Sequence, residues 1–287
     1  GSVSATLDTM SPAAGSVIVG ASTKVAIFKL TNTGSAAAKV TSVKMKRTGV
    51  SSDSTLNNVY LYNGDARLTD AASVASGMIN FSDNSGIVTI PGNSSIALGV
   101  MVEVSATANV SETLGVMLTD VVVDGVAVAG LPISGAQQTV VAAPNGMSSV
   151  SFGTTLPSGS NNVDPQAEYV VWQNTVSVGS RDALLSSIRF RQLGSVSTSD
   201  LKNFRLMVDG TQVGTAVESV NSNQYVEFTF ATPITMKAGS RIVKLVADIV
   251  GGSNKTFAFS VQQAVDAMFW DSQLNVVIAP TAFSAET

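Results

Sequence analysis

Oxygen is the one kind of ligand this sequence offers in quantity. Four acidic residues stand out by position: Glu103 and Asp248 occupy equivalent places in two copies of an internal repeat, and so do Asp124 and Asp271. Carboxylates at matching strand ends could meet at a sandwich edge or a domain junction and hold calcium, a cation that needs only oxygen ligands. Asp83-Asn84-Ser85-Gly86 is a further oxygen-rich turn, but it lacks the distal Glu of an EF-hand loop. The plainer account of all these acids is that Asp opens turns and charged residues end exposed strands. That account is preferred, with calcium kept as the only cofactor the sequence could serve.

Other chemistries lack their residues. The 287 residues include no His and no Cys, which removes disulfides, thiolate nucleophiles, zinc sites of the usual kind and the commonest proton carrier near neutral pH. The sequence contains no Gly-x-Ser-x-Gly, no Gly-x-Gly-x-x-Gly and no Walker-type loop, so neither an activated serine nor a phosphate cradle is indicated. No enzymatic activity is expected. Sixteen basic against 20 acidic side chains leave a net charge of −4, no footprint for a nucleic-acid backbone. Charged residues are 13% of the chain, about half the globular norm, while Ser and Thr make up about a fifth of it. Hydroxyls with sparse charge suit the outer faces of strands, and they suit an exported protein.

Aromatic residues are the other candidate binding platforms. Trp172 aligns near Phe28 and Trp270 near Val123, positions that read as packing rather than sugar stacking. Tyr60 and Tyr62 read as exposed and as interface candidates, because Tyr60 takes the place held by Arg205 in the other copy. Asn58 and Asn203 recur without a recurring Lys, so a Lys–Asn crosslink is not indicated, and both read as turn caps.

The elements that must position these residues come from a duplication. Val43-Lys44-Met45-Lys46-Arg47-Thr48-Gly49 matches Ile188-Arg189-Phe190-Arg191-Gln192-Leu193-Gly194. Leu56-Asn57-Asn58-Val59-Tyr60-Leu61 matches Leu201-Lys202-Asn203-Phe204-Arg205-Leu206, and Val140-Val141-Ala142-Ala143-Pro144 matches Val276-Val277-Ile278-Ala279-Pro280. Positions 43, 45, 59 and 61 stay apolar in both copies while their neighbours are polar or charged, the period of half-buried strands. Turn signals such as Asn63-Gly64, Asp124-Gly125 and Asp209-Gly210 punctuate the chain. The expectation is an all-β protein of two tandem antiparallel β-sandwiches, 1–144 and 145–287, with a linker near 144–149. Immunoglobulin-like and jelly-roll orders both remain open. The chain opens Gly1-Ser2-Val3-Ser4 rather than at Met, which reads as a processed or excised start. Its most apolar stretch, 114–133, is interrupted by Asp120, Asp124, three Gly and Pro132, too broken for a membrane span.

The run Leu56-Asn57-Asn58-Val59-Tyr60-Leu61-Tyr62-Asn63-Gly64, the Phe81 strand, Ile90-Pro91-Gly92 and the acid-ended Val100-Met101-Val102-Glu103 together resemble extracellular β-sandwich repeats. Such modules occur in surface-layer and other cell-surface proteins of bacteria and archaea, including Patescibacteria. The resemblance implies a structural or assembly role outside the cell and brings no catalytic residues. The expected function is a subunit that associates with itself into a lattice or filament, through apolar edges such as 15–27 and 121–133. The alternative is an adhesin or stalk module that grips glycan, the cell envelope or a protein partner. Asn93, Asn109 and Asn254 begin sequons that fit glycosylation.

Overall fold

In the computed structural model, which describes residues 1–283, the chain is all-β and divides into two compact units, Gly1–Ala143 and Pro144–Thr287. Two three-residue 3-10 turns, Asp53–Thr55 and Ala264–Asp266, are the only helical elements among the described residues.

In the first unit one sheet runs in the order β1 (Val3–Leu7), β3 (Ala21–Asn32), β9 (Ser94–Val104), β5 (Leu56–Asn63) and β6 (Ala66–Arg67). The facing sheet runs β2 (Gly15–Ile18), β13 (Gln138–Val141), β10 (Thr113–Val123), β4 (Ala38–Thr48) and β7 (Met78–Ser82). Here β8 (Val88–Ile90) also pairs with β4, while β11 (Val126–Ala127) and β12 (Ile133–Ser134) pair with β10. Neighbours are antiparallel except β2 beside β13.

The second unit repeats this order. One sheet is β14 (Ser149–Phe152), β15 (Gln166–Gly179), β20 (Gly239–Ile249), β17 (Leu201–Val208) and β18 (Thr211–Val217). The other is β19 (Tyr225–Met236), β16 (Ala183–Gly194), β22 (Ala267–Asp271) and β23 (Val277–Ile278), with β21 (Phe257–Ser260) also on β16.

Alternation explains the sandwich. Leu98, Val100, Val102 and Val104 point from β9 into the same core that Val43 and Met45 reach from β4, and all are buried. The second core is more aromatic, with Trp172 and Phe190 in edge contact at 4.9 Å between ring centroids. From β3 to β10 each main strand crosses to the opposite sheet: β3, β5 and β9 belong to one, β4, β7 and β10 to the other.

The apolar segments expected at edges divide. Gly15–Ile18 is an edge strand, but Ala21–Asn32 is central, flanked by β1 and β9. Val121–Val123 is central too, held between β4 and, at its end, β11.

Candidate functional site

The recurring acids and the recurring Asn residues meet. In the first unit Asn58 Nδ2 donates to Glu103 Oε2 at 3.2 Å; in the second Asn203 Nδ2 donates to Asp248 Oδ2 at 3.0 Å. Both pairs join neighbouring strands of one sheet, β5 to β9 and β17 to β20. Both sit at a β-bulge, where the register slips between Leu56 and Asn58, and again between Lys202 and Arg205. A bulge leaves one residue unpaired and bends the strand. Asn203 accommodates it in the left-handed region, φ 55°, which Asn tolerates better than most residues.

The rest of each site differs. Asp248 also accepts from the Glu168 backbone N–H at 2.9 Å and from Arg205 Nη2 at 2.9 Å, while Arg205 Nη1 reaches Glu168 at 3.1 Å. The Glu168 N–H and the Asn203 amide, then Arg205, hold the Asp248 carboxyl below its ordinary range against the opposing effect of burial. Among the described residues Glu103 has only Asn donors, Asn58 and, at 3.4 Å, Asn57. Tyr60 stands where Arg205 stands, opposite Met101 as Arg205 is opposite Val246.

Asp124 and Asp271 play different parts in their units. Asp124 (φ 48°) and Gly125 form the two-residue turn between β10 and β11, and the Asp124 carboxylate accepts from the Lys39 N–H at 3.2 Å. Asp271 is 1% exposed. Burial would push its carboxyl up, but the N–H groups of Ser148 (2.7 Å), Gln273 (2.8 Å) and Leu274 (2.9 Å), with Arg181 3.5 Å away, outweigh that and lower it. Arg181 in turn donates to the carbonyls of Asn145 and Gly146. The chain entering the second unit is thus pinned from Asn145 onward. Asp83 folds back on its own turn, accepting from Ser85 N at 2.8 Å. Among the described residues, no group of three or more acidic side chains is gathered to hold a metal.

Tyr60 and Tyr62 require a correction: they are 1% and 3% exposed, not surface residues. They point away from the core that Val59 and Leu61 enter, yet that face is covered as well. Gly99 lies opposite Tyr62, and the Lys24 side chain packs 3.3 Å from where a Cβ would stand, its ammonium 5.4 Å from the Tyr62 ring. Trp172 is buried against Phe190. Trp270 is half-buried and donates from Nε1 to Ser186 at 3.0 Å. No described helix is long and apolar enough to cross a membrane.

No family model and no curated protein matches the chain. Similar solved structures include the C-terminal domain of the Streptococcus agalactiae antigen I/II polypeptide BspA, with 9% identity and TM-score 0.24 over 89% of this chain and 97% of that one. The C-terminal domain of the Streptococcus pyogenes antigen I/II-family protein AspA gives 6% identity and TM-score 0.25 over 97% of each. A secreted serine protease of Vibrio cholerae, VesC, gives 12% identity and TM-score 0.22 over 89% of this chain, which spans 50% of that one. Superpositions at this level bear on neither function nor fold.

Proposed function

We propose that the chain is a non-enzymatic structural module of an extracellular, cell-surface protein, a β-sandwich spacer rather than a catalyst. The observation that carries this reading is how several sheet edges in each unit are capped or interrupted. On β1, Ala5 N–H donates to the Ala129 carbonyl; on β5, Val59 and Ala72 exchange two backbone bonds of 2.9 Å. On β14, Thr281 N–H donates to the Val150 carbonyl at 2.8 Å. The far edge of the second unit is bulged rather than covered. The β16–β19 register breaks between Leu185 and Ser187, where β19 carries Pro233, and the β17–β18 register breaks between Phe204 and Leu206. Gly214 (φ 69°) at the β18 break lies so close to the Phe230 ring that a Cβ would meet it at 2.7 Å. Covered, bulged and proline-bearing edges are how soluble β-proteins avoid adding strands.

The absent His and Cys, together with carboxylates spent on bulges and turns, support the non-enzymatic part. The hydroxyl-rich, sparsely charged composition supports export. The test is protease shaving of intact source cells: peptides of this chain should be released before lysis. Release only after lysis would overturn the surface assignment.

Self-association is a second reading, resting on one observation. Among the described residues β2 pairs only with β13 and leaves its other side open, a four-residue edge that a strand of another copy could extend.

A further inference from the structure

Comparing the two Asn–carboxylate sites exposes a difference in charge pairing. In the second unit Asp248 has its cation built in: the Arg205 guanidinium lies between it and Glu168. In the first unit Tyr60 replaces Arg205, and opposite Glu103 on β3 stands Ser22, where the second unit has the Ala167–Glu168 segment. Glu103 is 6% exposed, forms no ion pair among the described residues, and accepts only two long bonds, 3.2 and 3.4 Å, from Asn58 and Asn57. A carboxylate held out of water with weak neutral donors and no cation is costly. Beside it Ser22, 3% exposed, has a buried hydroxyl without a hydrogen-bond partner, an uncommon condition for a buried polar atom.

Ser22, Glu103 and Asn58 are direct cross-strand neighbours on β3, β9 and β5 and share the face turned away from the core. They and Asn57 present a carboxylate, a hydroxyl and two carboxamides. Nitrogen and oxygen of a carboxamide exchange places by a half-turn, which converts both Asn donors into oxygen ligands. We propose that Ser22, Asn57, Asn58 and Glu103 form a calcium site, the ion supplying in the first unit the charge that Arg205 supplies in the second. With a single carboxylate the site is weak, with Kd of about 10⁻⁴–10⁻³ M, the range of extracellular calcium modules. The proposal is independent of the spacer reading.

The test is calcium chloride titrated into the full chain at constant ionic strength, followed by calorimetry, with magnesium chloride as control. At calcium tenfold above Kd the first unit should melt about 3–6 °C higher, with little response to magnesium. Glu103→Gln should abolish the shift, and Asp248→Asn should retain it. An unchanged shift in Glu103→Gln, or none in the wild-type chain up to about 10 mM calcium, overturns the proposal. Should Glu103→Gln fail to fold, Ser22→Ala decides by isothermal titration. Loss of one oxygen ligand should raise Kd about three- to tenfold, and an unchanged Kd overturns the site.

Discussion

Arg205 Nη2 stands 2.9 Å from Asp248 Oδ1, and the first unit holds Tyr60 and Glu103 at the same two places. The pair is only partly shielded, with side-chain exposures of 15% and 25%, so it falls between a surface pair and a fully buried one. Arg205→Ala should destabilise the second unit by about 1–3 kcal/mol, mainly by leaving Asp248 without its cation. Urea denaturation measures this; a loss below about 0.5 kcal/mol would reduce the contact to an ordinary surface pair.

Acid should unfold the protein, and neutral pH should not matter to it. Asp53, Asp83, Glu112, Asp200, Asp248 and Asp271 are all lowered in the fold, chiefly by hydrogen bonds from side chains and backbone N–H groups. For a lowered carboxyl the unfolded chain binds more protons than the folded one as pH falls, so stability drops with it. The contribution is complete above the ordinary values of 3.8 for Asp and 4.5 for Glu, and fades as pH falls through the lower folded ones. With no His in the chain, the melting temperature should be nearly level between about pH 5.5 and 8 and fall steeply below about pH 4. A transition near pH 6.5 in a melting series would contradict this account.

Asp271 should matter more than any other carboxylate. Replacing it with Ala strands three N–H donors and the Arg181 charge, at a cost of about 2–4 kcal/mol. Hydrogen exchange should accelerate at Ser148, Gln273 and Leu274, while the first unit is unaffected. Unaltered exchange at Ser148 would show that the entry segment is held by something else.

Trp172→Ala should cost the second unit about 3–5 kcal/mol by opening a cavity against Phe190. Trp172 emission should shift to the red only when that unit melts. Quenching by added oligosaccharide in the native protein would reopen the stacking role that burial argues against.

Strand faces were legible in the sequence because burial follows period 2. Val43, Met45, Val59 and Leu61 are all fully buried, and Lys44 and Lys46 lie on the wet face. The burial of Tyr60 was not legible, because alternation shows which way a side chain points but not what covers that face. Sheet order was not legible: Asp124-Gly125 and Asp209-Gly210 close real hairpins, but turn residues elsewhere carry the chain across to the other sheet. Nothing local distinguishes the two uses. The Asn–carboxylate pairs did leave a signal. Asn58 and Glu103 are 45 residues apart, and so are Asn203 and Asp248. A polar pair kept at constant separation through a duplication marks a contact, whereas each member alone read as a turn cap or a strand end. The clamp by Asp271 left none, since its three donors are backbone groups that no residue type announces.

Sedimentation velocity of the full chain, run from micromolar to near-millimolar concentration with calcium and with chelator, tests the spacer reading most directly. The spacer reading predicts a single species at the mass of one chain, 29.4 kDa, under every condition. Larger species growing with concentration would contradict it, and their loss on substituting Pro for Ser16 in β2 would place the growth at that open edge.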